Sequence, residues 1–147
     1  MQFSYEFTAV DIAIAIGIAV VIVVFFVARW FARQSRLPEG LDRKFYRARW
    51  KEIEALVELK KEMNYKLAVI EADKLLDSAL RGMYFTGTTM AERLKLASYK
   101  FPKLKQVWWA HQVRNHVVHD VRYELRHGEA RKVLELFKRA LSTLGVL

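Results

Sequence analysis

Arg114, Asn115 and His119 have the clearest potential for chemistry in this chain, and they lie in the segment RNHVVH. An arginine can hold a phosphate group with two parallel hydrogen bonds. A histidine can give or take a proton near neutral pH. These are two of the groups that RNA cleavage without a metal ion requires. The pattern R-x-x-x-x-H is weak by itself, because a chain with 25 Lys and Arg and four His contains it easily by chance.

The helix that is predicted to carry this motif has two different faces. At ~100° per residue, the apolar side chains that should face a core are Val107, Ala110, Val113 and Val117. Roughly opposite lie Trp108, His111, Asn115 and His119. We predict that Trp108 and His111 belong to a dimer face, because this side carries too much aromatic surface for an ordinary solvated face.

Arg114 and His119 are ~140° apart on a regular helix, so their side chains cannot point the same way. Either the helix frays at His119, or the arginine reaches around, or a second copy of the chain completes the site. Other interpretations stay open. Basic residues in the last turn complement the helix dipole, and Arg114 would equally suit an ion pair with Glu71, Asp73 or Asp77. Tryptophans such as Trp108 and Trp109 more often fill a core or an interface than stack on bases.

The N-terminal part of the chain predicts a membrane span. The run from Ile12 to Ala28 has no charged residue, and its apolar flanks extend it over residues 9–32. Some 24 residues at ~1.5 Å each cross a hydrocarbon core of ~30 Å. Residues 1–8 contain no Lys or Arg, which argues against a cleaved signal peptide and leaves them as a short extracytoplasmic tail.

Charge predicts the orientation of this span. All 25 Lys and Arg lie at or after residue 29, and seven of them lie between Arg29 and Arg49. The positive-inside rule then places the N-terminus outside and the rest of the chain in the cytoplasm, as a single-pass protein of the cell membrane. The chain contains no cysteine, which excludes disulfides and thiolate metal sites and fits a reducing compartment.

The remainder of the chain predicts an all-α fold. Residues 33–41 read as a linker that contains Pro38 and Gly40, and residues 42–147 read as a small up-and-down helical bundle. Helical periodicity predicts helices over 42–63, 65–83, about 89–100 and 127–144, with a fourth one in between that begins at Pro102 and carries the motif. The run from Thr89 to Glu92 is typical of a capping box.

A basic and aromatic cluster follows the predicted linker. Lys44, Arg47, Arg49 and Trp50 are candidates for binding RNA or lipid. Because the cluster begins about 15 residues beyond the span, attraction to anionic headgroups is the favoured role. We expect no metal and no cofactor, since Asp120 is the only carboxylate close to His116 and His119, and the chain has no Gly-rich phosphate loop.

The segment VRNHVVHD, followed by Tyr123-Glu124-Leu125 and GEARKVLELFKRAL, resembles the HEPN superfamily of helical-bundle domains, and so do IEADKLLDSAL and GTTMAERL upstream. The resemblance covers roughly residues 64–144 and extends to HEPN-type proteins with a short membrane anchor. It implies a homodimer with facing motif helices, and either a metal-independent RNase or a binding module without catalysis. In the catalytic case Arg114 would hold the scissile phosphate, His119 would transfer a proton, and Asn115 would orient the histidine or bind the phosphate.

These observations together predict a membrane-anchored bundle that cleaves or binds RNA at the cytoplasmic face of the membrane. The alternative is a non-catalytic adaptor whose bundle binds a cytoplasmic protein. The expected partners are the lipid bilayer, a second copy of the chain, and either RNA or that protein.

Overall fold

The computed structural model describes residues 9–34 and 41–147, with side chains described for residues 14–29 and 41–147. Within these ranges every regular element is helical: α1 (Ala9–Gln34), α2 (Arg43–Glu58), α3 (Glu62–Gly82), α4 (Met90–Lys100), a 3-10 helix (Pro102–Gln106), α5 (Val107–His119) and α6 (His127–Thr143). The predicted all-α helical bundle is confirmed for this part of the chain.

Helix α1 belongs to a separate compact unit, residues 1–36, while the bundle forms the unit of residues 37–147. All its described side chains, residues 14–29, are exposed. Among the described residues, no helix is both long and apolar enough to cross a membrane. Because α1 continues to Gln34, the predicted linker starts too early at residue 33. The predicted tail (1–8) and the rest of that linker up to residue 40 lie outside the described residues.

Helix α3 is the central element of the bundle and contacts α2, α4, α5 and α6. Three alanines line its buried side and let neighbouring helices approach closely: Ala68, Ala72 and Ala79. Larger apolar side chains fill the space between them, among them Leu76, Leu80, Leu94, Phe137 and Leu141, all with no measurable exposure. Burial of this apolar surface is the main term that stabilises the bundle.

The boundary between α2 and α3 differs from the prediction of one helix over 42–63. Helix α2 ends at Glu58, because Lys60 adopts a left-handed conformation with φ of 53° and turns the chain. Lys61 then caps α3, so Met63 belongs to the second helix. Such a turn commonly uses glycine, and its absence here explains why the sequence pattern does not reveal the break.

The N-terminus of α4 is a capping box, as predicted. The Thr89 side chain accepts a hydrogen bond from the backbone N–H of Glu92 at 3.2 Å. The Glu92 carboxylate in turn accepts from the backbone N–H of Thr88 at 2.7 Å. The region after Pro102 divides into two elements, a 3-10 helix and α5, where the sequence predicts one helix. Helix α6 ends at Thr143, one residue before the predicted end.

Candidate functional site

Helices α3 and α5 are joined by a buried polar contact. Asp73 on α3 is 3% exposed and His111 on α5 is 7% exposed. Nδ1 of His111 lies 2.7 Å from Oδ1 of Asp73. An ionised carboxylate can only accept hydrogen bonds, which makes the imidazole the donor. The contact satisfies two polar groups that would otherwise destabilise the core.

Arg114 approaches the same carboxylate from the next turn of α5. Its Nε lies 3.2 Å from Oδ2 of Asp73, close enough for an ion pair. The N–H is not directed at this oxygen, so Nε is buried without a hydrogen bond among the described residues. Nη1 of Arg114 donates to Oδ1 of Asn115 at 3.0 Å. Of the three carboxylates that the sequence offered as partners, Asp73 is therefore the one that Arg114 contacts.

A second ion pair, between the buried Arg93 and the partly buried Asp77, lies one turn further along α3. Oδ1 of Asp77 accepts from Nε of Arg93 at 2.7 Å, and Oδ2 accepts from Nη2 at 3.1 Å. Arg93 is 4% exposed and also donates to the carbonyl of Gly87. Arg81 contacts the same carboxylate from the solvent side at 2.8 Å. This bidentate pair fixes the loop before α4 against α3.

An open cleft of about 460 Å³ lies between these two ion pairs. Its charged lining consists of four basic and two acidic side chains: Lys74, Arg81, Arg93, Arg114, Asp73 and Asp77. Thr88, Thr89, His111 and Asn115 add polar groups. Since both carboxylates are already occupied by arginines, the remaining N–H donors of the basic residues make the cleft suitable for an anion.

His119 does not line this cleft. It is exposed and is the last residue of α5, and no hydrogen bond, ion pair or ring contact joins its side chain to another described residue. Helix α5 extends to His119, so fraying, one of the three alternatives that the sequence left open, is not observed. Arg114 turns toward α3 and Asn115 instead of reaching around. Within one chain, the arginine and the histidine of the motif are not brought together.

The predicted dimer face requires a correction at His111, which is buried against Asp73 in a single protomer. The cause is that α5 packs against both α3 and α6, so its buried arc is wider than one apolar stripe. Trp108 is half-buried, and its ring meets that of His111 edge to face at 6.4 Å. Trp109 is also half-buried and carries Nζ of Lys132 over its ring at 4.7 Å.

The predicted RNA- or lipid-binding group on α2 is only partly accessible. Trp50 is 4% exposed and donates from Nε1 to Glu54 at 2.8 Å, so it belongs to the core. Arg49 is half-exposed and pairs with Glu71 at 3.1 Å and with Glu52. Lys44 and Arg47 are exposed, and they remain the accessible members of the group.

The basic lining of the cleft was missed by sequence reasoning. Lys74, Arg81 and Arg93 come from α3 and α4, and only the packing of these helices brings them to Arg114. The available signal was the capping box at Thr89, because it marks the start of α4, whose first turn lies beside the cleft. Comparison with known proteins adds nothing to this geometry: no family model, no curated protein and no solved structure matches the chain.

Proposed function

We propose that this protein is a membrane-anchored, HEPN-like helical bundle that binds RNA through the cleft at Arg114. One observation carries the proposal: Arg114 faces an open cleft with three further basic side chains, whereas His119 lies outside it. This arrangement supports phosphate binding. It does not support cleavage by one protomer, because the group that would transfer a proton is not beside the group that would hold the phosphate.

Arg114 is suited to phosphate binding because its position is fixed before a ligand arrives. The buried carboxylate of Asp73 lies beside Nε, and the Asn115 amide oxygen accepts from Nη1. A guanidinium carries five N–H donors, and these contacts use only part of them. The side chain is 25% exposed, so its free edge is accessible from the cleft. Such prior ordering lowers the entropic cost of binding.

The membrane anchor is part of the proposal and rests on α1. This helix has 26 residues, and its apolar side chains from Ile14 to Val27 are exposed. At ~1.5 Å per residue it is about 39 Å long. The excess of Lys and Arg after Ala28 supports an outside N-terminus and a cytoplasmic bundle. Lys44 and Arg47 then support contact with anionic headgroups at the same face.

The homodimer remains a prediction. The RNA binding proposed for the Arg114 cleft uses residues of one chain. Cleavage would require His119 of a second copy to approach the cleft. The dimer therefore decides between a binding module and a nuclease, and the proposal favours the binding module.

Fluorescence anisotropy with labelled single-stranded RNA tests the proposal on the full chain held in a mild detergent. We expect binding at about 50 mM salt that weakens steeply toward about 200 mM, because phosphate contacts release counterions. Arg114→Gln should weaken binding, while Arg126→Gln, a change of an exposed arginine outside the cleft, should leave it unchanged. The proposal is wrong if the wild type binds no RNA at the lower salt concentration, or if folded Arg114→Gln binds as tightly.

A protein-binding adaptor is the second candidate function, and the contacts of Asp73 with His111 and Arg114 favour it. Asp73 contacts both His111 and Arg114, so the motif arginine has a structural role between α3 and α5. If Arg114→Gln lowers stability without changing RNA affinity, this role is sufficient to explain the motif. The bundle would then act through its surface, as an adaptor does.

A further inference from the structure

A second cavity lies at the other end of α4, where the chain turns through the 3-10 helix into α5. Its volume is about 330 Å³, and its lining consists of Lys95, Ser98, Tyr99, Lys105 and Trp108. Tyr99 is 75% exposed, so its ring is accessible to a ligand. Trp108 is half-buried and is held in orientation by its edge-to-face contact with His111.

The second cavity and the Arg114 cleft follow the same two helices. On α4, Ala91 lines the cleft and Lys95 and Ser98 line the cavity, and the spacing of four and three residues puts them on one stripe. On α5, Trp108 and His111 are three residues apart, and their rings touch. Trp108 lies about 9 Å along the helix from Arg114. The two residues also differ by ~120° around the helix, so a strand of a few nucleotides that passes over α5 can reach both positions.

The charge around the second cavity is strongly positive. The segment of residues 90–106 contains five basic side chains and one acidic side chain. Lys95 and Lys105 line the cavity, and neither has a hydrogen-bond or ion-pair partner in the described part of the chain. Unpaired ammonium groups beside an aromatic surface attract a ligand that is both flat and anionic.

We infer that this cavity is a base-stacking subsite for single-stranded RNA, with Tyr99 and Trp108 as the aromatic platform. Lys95 and Lys105 contact the flanking phosphates, while Arg114 holds a phosphate further along the same strand. Stacking on aromatic rings accepts any base, because each base has a π face. The inference rests on the proposed RNA binding, and it predicts a preference for single strands with little dependence on sequence.

A pair of matched variants tests the subsite in the full chain. Tyr99→Ala removes the exposed ring of the cavity, and Tyr84→Ala removes an equally exposed ring that does not line it, since both residues are 75% exposed. The probes are a short labelled oligoadenylate and an abasic backbone of equal length. We expect Tyr99→Ala to weaken oligoadenylate binding roughly tenfold, and Tyr84→Ala to leave it unchanged. Neither variant should alter binding of the abasic probe.

The dependence of RNA affinity on salt concentration tests the phosphate contacts. Lys95→Gln and Lys105→Gln should each reduce the slope of log affinity against log salt by roughly one. The subsite is wrong if the wild type binds the abasic and adenylate probes equally, or if Tyr99→Ala behaves like Tyr84→Ala; RNA binding at Arg114 then still stands. It is also wrong if Tyr99→Ala changes only the sedimentation of the chain, because a second copy would then cover the cavity. If the wild type binds neither probe, the proposed function fails as well.

Discussion

The carboxylate of Asp73 lies 2.7 Å from Nδ1 of His111, although the two residues are 38 positions apart in the chain. The contact joins the middle of α3 to the middle of α5 inside the bundle, and both residues are buried. The second carboxylate oxygen of Asp73, Oδ2, lies 3.2 Å from Nε of Arg114. One carboxylate therefore holds the helix that carries the motif and sets the direction of the motif arginine.

Asp73→Ala should destabilise the bundle strongly. The substitution leaves His111 and the Nε of Arg114 buried without a carboxylate partner, and removal of one member of a buried charged pair costs about 3–5 kcal/mol. Urea unfolding followed by circular dichroism measures the effect. Glu135→Ala is the control, because Glu135 forms an exposed pair with Arg139 that should contribute less than ~0.5 kcal/mol. Equal midpoints for the two variants would show that Asp73 does not stabilise α5.

The sequence predicts α6 nearly to the residue, because its apolar positions repeat without interruption from Ala130 to Leu141 and no other signal competes. It does not predict the break after α2, because Lys60 adopts the left-handed conformation without a glycine to mark it. It also misplaces His111. A wheel drawn for one apolar face cannot reveal that α3 and α6 both cover α5.

The candidate site is predictable only in part for a similar reason. Arg114 and Asn115 are recognisable from local spacing, and Asp73 is identifiable as one of three carboxylates that suit the arginine. The cleft itself depends on how α3, α4 and α5 pack, since Lys74, Arg81 and Arg93 have no special spacing relative to the motif. Local periodicity is therefore enough to predict the helices, whereas the site depends on long-range packing.

Gly87→Ala should destabilise the loop before α4. Gly87 has a φ of +145°, which L side chains rarely adopt, and a Cβ there would lie 2.9 Å from Cβ of Glu92. The loop also supplies the carbonyl that Arg93 contacts, so its displacement weakens the Arg93–Asp77 pair. Gly128→Ala is the control: it meets nothing within 4 Å, lies in the first turn of α6 and should raise stability by up to ~1 kcal/mol. Thermal unfolding compares the two, and a lower midpoint for Gly128→Ala than for Gly87→Ala would contradict the prediction.

Tyr123 should ionise at an unusually high pH. Burial of its side chain, together with its 2.8 Å hydrogen bond to Glu129, raises the pKa of Tyr123 to about 12. A pKa above the ordinary value of 10.0 means that the folded state binds the proton more tightly than the unfolded state. This stabilisation is complete below pH 10 and is lost as the pH rises to about 12. The tyrosinate absorbance of wild type minus that of Tyr123→Phe measures the titration, and Glu129→Gln should move it to lower pH. A difference spectrum with its midpoint at the ordinary value would be inconsistent with this contact.

The orientation of the chain can be tested with single cysteines, because the chain has none of its own. We expect Ser4→Cys to react with an impermeant maleimide on intact cells. Ser142→Cys, which is an exposed position in α6, should react only after the membrane is permeabilised. The excess of Lys and Arg after Ala28 is the physical reason. Reaction of Ser142→Cys on intact cells would place the bundle outside and exclude its access to cytoplasmic RNA.

The last prediction separates binding from cleavage. We expect the full chain to bind single-stranded RNA and to leave it intact, with magnesium or with EDTA, because Arg114 and His119 of one protomer are not brought to the same cleft. His119→Ala should bind RNA as the wild type does, since His119 is exposed and does not line the cleft. Denaturing gels of incubated RNA, read beside anisotropy of the same samples, measure both properties.

Cleavage in EDTA that disappears in His119→Ala would overturn this prediction and favour a composite nuclease site between two chains. A mixture of Arg114→Gln and His119→Ala chains then identifies the source of each group. If the site takes its arginine from one chain and its histidine from the other, a mixed dimer retains one intact site, and activity returns on mixing. If both groups act within one chain, every chain in the mixture lacks one of them, and the RNA remains uncut. The second result would require Arg114 to leave Asp73 and approach His119 of its own chain.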